Sequence, residues 1–173
     1  VDVINSALKV QAACYGTMSN FTFGNKDFGY YETICGGEGA SKEHNGSDAV
    51  QCHMTNTRLT DPEILELRYP IKINNFSIRK NSGGKGKFKG GNGVIREIEF
   101  EKSLTAVILS NRRKVSPPGI LYGEKAQKGI NLFKTKNKKI KKLNSSESIN
   151  VKKGDIIIIK TPGGGGYGKK ATV

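Results

Sequence analysis

The chain of 173 residues has no run of about 18 apolar residues, so nothing in it reads as a membrane-spanning helix. Its three cysteines, Cys14, Cys35 and Cys52, are odd in number and unpatterned in spacing. That argues against a disulfide framework and for a reducing, cytoplasmic setting. Arginine is scarce: only positions 58, 68, 79, 96, 112 and 113 of the 29 basic residues, the rest being lysine. The net charge of +14 is therefore carried mainly by point charges, which serve solubility as readily as phosphate binding. Nucleic-acid binding is a distant alternative, because the planar guanidinium fork that base and phosphate recognition favours is in short supply. No GxSxG elbow, GxxxxGK[ST] phosphate loop or dinucleotide fingerprint occurs. Metal ligation has one adjacent pair, Cys52 and His53, and no second cluster, so no metal is expected on this chain. Neighbours in an extended strand face opposite ways, so Cys52 and His53 are not expected to act as a couple. The opening VDVINSALKV lacks a basic region ahead of an apolar core and does not read as a secretion signal. With no initiating methionine, the chain is expected to open partway into a fold.

What is present points to a globular domain rich in turns: 35% hydrophobic residues and 22 glycines in a length suited to one domain. Residues 1–10 have the pattern of an amphipathic helix capped by Asp2, with Ile4, Ala7, Leu8 and Val10 near one side. Residues 17–24 and 29–35 alternate aromatic and β-branched residues between glycines and predict a hairpin across 25–28. Ile71, Ile73 and Ile78 predict a strand whose alternation Asn74 and Asn75 weaken. Strands are also expected over 94–100, 104–110, 130–133 and 155–160, with 104–110 buried on both faces. The lysine-rich run 134–150 reads as a solvated, mobile hairpin end. Glycines in SGGKGKFKGGNG (82–93) suggest tight turns needing positive φ, with Phe88 as a packing plug, and TPGGGGYG (161–168) suggests close backbone approach. The expected fold class is mainly β with a few short helices (α+β), glycine-rich loops and a single compact domain.

The most informative stretch is Cys52–Pro70, CHMTNTRLTDPEILELRYP. A histidine and a polar run precede a well-punctuated helix. Thr60 and Glu63 have capping-box spacing, and Asp61 before Pro62 is an equally good start. Ile64 and Leu65 supply a face to bury, and Pro70 ends the helix. Asn111, Arg112 and Arg113 end the 104–110 strand, where two arginines could grip a carboxylate or phosphate, or anchor a loop.

Blocks 30–40 (YYETICGGEGA), 53–70, 82–100, 108–133 and 154–168 occur in an order that resembles the C-terminal part of the hydantoinase B/5-oxoprolinase family, closest to its 5-oxoprolinase branch. The resemblance implies a fragment or split subunit of an ATP-dependent cyclic amide hydrolase that opens 5-oxoproline or a hydantoin. It implies as partners a hydantoinase A-type ATP-binding subunit, the N-terminal part of hydantoinase B and a small cyclic amide. ATP and a divalent metal are implied for the full system, with neither bound by this chain. By the same resemblance, His53, Asn56 and Arg58 are the expected catalytic residues, and Arg112 and Arg113 weaker substrate-binding candidates. Gln51 stands where close relatives carry a second histidine, and the run before residue 151 is lysine-rich where relatives have glycine. Family members are longer, and their N-terminal histidine- and aspartate-containing motifs are not in this sequence. A split subunit, a remnant or a truncated chain are the readings of that difference, each expected to be inactive alone. A catalytically inactive assembly module is the alternative, and self-association through exposed former interior is a further expectation.

Overall fold

A computed structural model describes residues 1–53, 55 and 57–170. Among the described residues, two short helices, α1 (Asp2–Ala7) and α2 (Pro62–Arg68), accompany nine strands. These are β1 (Ser19–Gly24), β2 (Gly29–Thr33), β3 (Ile71–Ile78), β4 (Val94–Phe100), β5 (Leu104–Ser110), β6 (Ile130–Lys134), β7 (Ile140–Leu143), β8 (Ser146–Val151) and β9 (Ile156–Lys160). They form two antiparallel sheets, ordered β2-β1-β5-β8 and β3-β4-β9-β6-β7. The mainly β expectation therefore holds.

Alternation drives the packing. Every second residue of β4 (Val94, Arg96, Ile98, Phe100) and of β5 (Leu104, Ala106, Ile108, Ser110) is buried. With Phe21, Phe23, Ile157 and Ile159, the apolar members of that set join one core cluster drawn from both sheets. Strand β5 thus corrects the expectation of burial on both faces, since Val107 and Leu109 are exposed on its outer side. The asparagine pair in β3 marks a bulge, the register shifting between Ile73 and Asn75.

One buried ion pair ties the sheets together. Arg96 on β4 donates from Nε and Nη2 to the Glu32 carboxylate on β2 at 2.8 and 3.0 Å. Burial pushes the Glu32 carboxyl up from its ordinary range, and Arg96 opposes that shift. The Phe76 ring lies 4.8 Å from the Arg96 guanidinium carbon.

Helix α2 starts from the second of its two possible caps. Asp61 accepts from the Glu63 amide at 2.9 Å, while the Thr60 hydroxyl turns to Tyr30. Leu65 is buried and Ile64 exposed. Helix α1 departs further from expectation: Val1, not Asp2, is its N-cap, and none of its residues is buried. Residues 134–150 form β7 and β8 rather than a mobile end. Strand β7 extends one sheet through β6 and β8 extends the other through β5, so this lysine-rich segment joins both layers.

Beside the sandwich lies a second kind of interior. Glycine-rich segments around residues 36–39, 83–91, 119–123 and 163–166 run side by side and hydrogen-bond laterally. The amide of Gly164 donates to Gly91, that of Gly84 to Gly164, that of Gly91 to Glu38, and that of Gly165 to Ala13. A Cβ on Gly164 would stand 1.8 Å from the Glu38 carbonyl oxygen, and one on Gly37 2.1 Å from that of Gly91. The expected positive φ is absent here: among the described glycines only Gly16, Gly154 and Gly168 have it. Closeness of backbone to backbone, not turn conformation, is what excludes a side chain.

Candidate functional site

Three residues distant in sequence meet beside this lattice. Asp2 lies in the first turn of α1, and its Oδ1 accepts from the Cys14 amide at 3.2 Å and from His53 Nε2 at 2.9 Å. Its Oδ2 accepts from Arg112 Nη2 at 2.8 Å. A carboxylate only accepts, so Nε2 carries the imidazole proton and Nδ1 of a neutral ring is left basic. Both partners reach Asp2 from a left-handed backbone, with φ of 55° at His53 and 58° at Arg112. For Arg112 this ends β5. Asn111 still donates its amide to Met18, and the next residue turns toward Gly16, whose missing side chain leaves room for the arginine stem. His53 likewise leaves the extended path of Val50 and Gln51 in a turn closed by the Thr55 amide on Cys52.

The cysteine brought to His53 is Cys14 rather than its sequence neighbour Cys52. Cys14 and Cys52 pack in one buried cluster with Tyr15, and the donor atoms of Asp2, Cys14 and His53 all lie within 4.8 Å of one another. The Gly39 amide donates to Cys14 Sγ at 3.3 Å. The neighbouring Cys14 thiol, and burial next, push the Cys52 thiol strongly up, so Cys52 stays protonated. A solvent-facing cavity of about 340 Å³ is lined by Asp2, Gly16, Thr17, His53, Asn111 and Arg112 with Val1 and Val3.

The other expected residues are placed differently. Arg113 points away from this cavity into the protein, donating to the Asn131 side chain, the Asn111 carbonyl and Ser19. Burial, aided by the charge of Arg79, lowers its guanidinium to about 10. Its partners are neutral and structural, and it joins the end of β5 to β6 and β1. Arg58 is exposed and outside the cavity lining, and Asn56 lies outside the described residues. Gln51 is structural: it accepts from the Tyr15 hydroxyl at 2.7 Å and donates to the Thr33 carbonyl at 2.7 Å. Asp2 and Cys14 were not singled out by sequence reasoning. Asp2 carried the signature of a helix cap, and Cys14 had no neighbour in sequence to suggest ligation.

Comparison with known proteins bears on this arrangement. The family model described as hydantoinase B/oxoprolinase matches residues 1–170. A 5-oxoprolinase of Dictyostelium discoideum is 54% identical over 169 residues, covering 98% of this chain, and 5-oxoprolinase 1 of Arabidopsis thaliana is 50% identical over 167 residues, covering 96%. The chain spans 13% of the length of each of these two relatives. Among solved structures, an ATP-dependent caprolactamase from Pseudomonas jessenii superposes with a TM-score of 0.73 at 24% identity, over 92% of this chain and 30% of that one. That likeness speaks for the fold. Among the described residues, no helix is long and apolar enough to cross a membrane.

Proposed function

The chain belongs to the hydantoinase B/oxoprolinase family, and from that premise we propose that it contributes the hydrolytic side of an ATP-dependent ring opening of 5-oxoproline or a related cyclic amide. The observation that carries the reading is the convergence of Asp2, His53 and Arg112 on one solvent-facing cavity. His53 Nδ1, in a ring oriented by Asp2, takes the proton of the attacking water. Arg112 holds Asp2 with one guanidinium nitrogen and presents its remaining N–H groups to an anionic group on the substrate, the carboxylate of 5-oxoproline or a phosphoryl group on the activated amide oxygen.

Activation of the amide by ATP falls to a hydantoinase A-type partner, and the remaining part of hydantoinase B completes the site. ATP and the divalent metal act in that fuller assembly, in the cytoplasm. The test is to combine the chain with both components and follow ATP-dependent release of glutamate from 5-oxoproline. His53→Gln keeps a hydrogen bond to Asp2 but removes the base, and should lower kcat by about 100-fold or more with little change in KM. Full turnover by that variant, or none by the parent in any combination, overturns the reading.

A further inference from the structure

We infer that Asp2, Cys14 and His53 form a binding site for a thiophilic divalent cation of the zinc type. Each supplies a different donor, carboxylate oxygen, thiol sulfur and imidazole nitrogen, and the three atoms lie within 4.8 Å of one another. In a tetrahedral zinc site, bonds of about 2.0–2.1 Å place an oxygen and a nitrogen ligand about 3.3 Å apart. Asp2 Oδ1 and His53 Nε2 stand 2.9 Å apart, so a few tenths of an ångström of opening admits the ion between them.

The surroundings are those of a supported ligand set. Arg112 holds Asp2 Oδ2, which fixes the carboxylate and leaves Oδ1 turned to the cluster. The Gly39 amide donates to Cys14 Sγ, which orients the sulfur. Cys52 packs against Cys14 and supplies a second thiol alongside the set. The cavity lined by Asp2, His53 and Arg112 opens two of the three ligands to solvent, while Cys14 is fully buried. The proton balance is simple. Binding releases the Cys14 thiol proton to solvent, and the His53 proton moves from Nε2 to Nδ1 as Nε2 takes the metal. Two anionic donors then match the divalent charge, with Arg112 as an outer partner.

The ion and the base role proposed for His53 exclude each other, since the loaded ring carries its proton on Nδ1. The site would therefore silence the hydrolytic function, yet its test does not depend on turnover. The chelator-stripped protein is titrated with Co²⁺ under anaerobic conditions and followed by absorption. One equivalent should bind with a thiolate-to-cobalt charge-transfer band, and Zn²⁺ should displace it. The band should vanish in Cys14→Ser, and affinity should fall at least about 10-fold in His53→Gln and about 10- to 100-fold in Arg112→Gln. Cys35→Ala and His44→Ala should bind as the parent does, because Cys35 lies in the sandwich core and His44 in an exposed loop. Absence of the band, its survival in Cys14→Ser or its loss in Cys35→Ala overturns the proposal. If Cys14→Ser fails to fold by circular dichroism, His53→Gln decides, and unchanged cobalt affinity there overturns it.

Discussion

Between the two sheets the interior is filled by side chains, with Phe21, Phe23, Phe100, Ile98, Ile157 and Ile159 nearly free of solvent contact. Around Gly164 the interior is filled by backbone, each segment lying so close to the next that a methyl group has no place. The sandwich gains its stability from apolar area removed from water, and its sequence rule is alternation. The lattice gains little from that source. Its amides and carbonyls satisfy one another sideways, and its sequence rule is the exclusion of Cβ. The two regions should thus fail in opposite directions, the sandwich on losing volume and the lattice on gaining it.

The largest effect is expected in the sandwich. Phe100 is fully buried and meets the Phe23 ring edge-on at 6.0 Å, so Phe100→Ala should cost about 3–5 kcal/mol in urea denaturation. In the lattice the smallest possible side chain should suffice: Gly164→Ala should cost about 3 kcal/mol, because backbone on either side cannot yield. Gly29, with nothing within 4 Å of its would-be Cβ, should accept alanine within about 0.5 kcal/mol. Equal tolerance at 29 and 164 would erase the distinction between the regions. Outside both, Asp61→Ala should cost about 1 kcal/mol through loss of the α2 cap, and Asp61→Asn much less.

A milder perturbation reaches both regions at once. Burial raises Tyr30 in the sandwich and Tyr15 beside the lattice to about 12, and Cys35 to about 11. Folded values above unfolded ones mean that the neutral groups contribute stability in full below about pH 8.5, lost as pH rises from there through about 12. Arg113, lowered to about 10, and Arg79, also lowered by burial, work the other way, stability rising as they deprotonate, but they are two groups against four once Cys52 is counted. Denaturation midpoints measured from pH 7 to 11 should be level at first and then fall, with phenolate absorption appearing as they do.

Strands β4 and β5 were legible to the residue because alternation is a local signal, and α2 because Asp61 and Pro62 announce its start. Residues 134–150 were not, since lysine at the exposed positions of β7 hides the pattern. The pairing of β7 and β8 with strands of different sheets is set by distant partners. The lattice was half legible: four successive glycines at 163–166 pointed to close approach. Those at 82–93 suggested turns, because a glycine needed for space and one needed for φ look alike in sequence. At the site, His53 and Arg112 stood out as polar residues at element boundaries. Asp2 and Cys14 did not, because what defines them is a meeting across the fold rather than any local motif.

The lattice also bears on how the chain folds in time. The bonds that bring in residues 163–166, such as Gly165 to Ala13 and Gly164 to Gly91, cannot form before most of the chain is laid down and long loops are closed. Little apolar burial rewards an early attempt. The hairpin of β1 and β2 and the pairing of β3 with β4 close shorter loops over an apolar face, and offer the nucleus. The segment 163–166 is then expected to lock last, and Gly164→Ala should leave the fast refolding phase unchanged while speeding unfolding. The segment's amides should then exchange with solvent as slowly as those of β9 at the centre of its sheet.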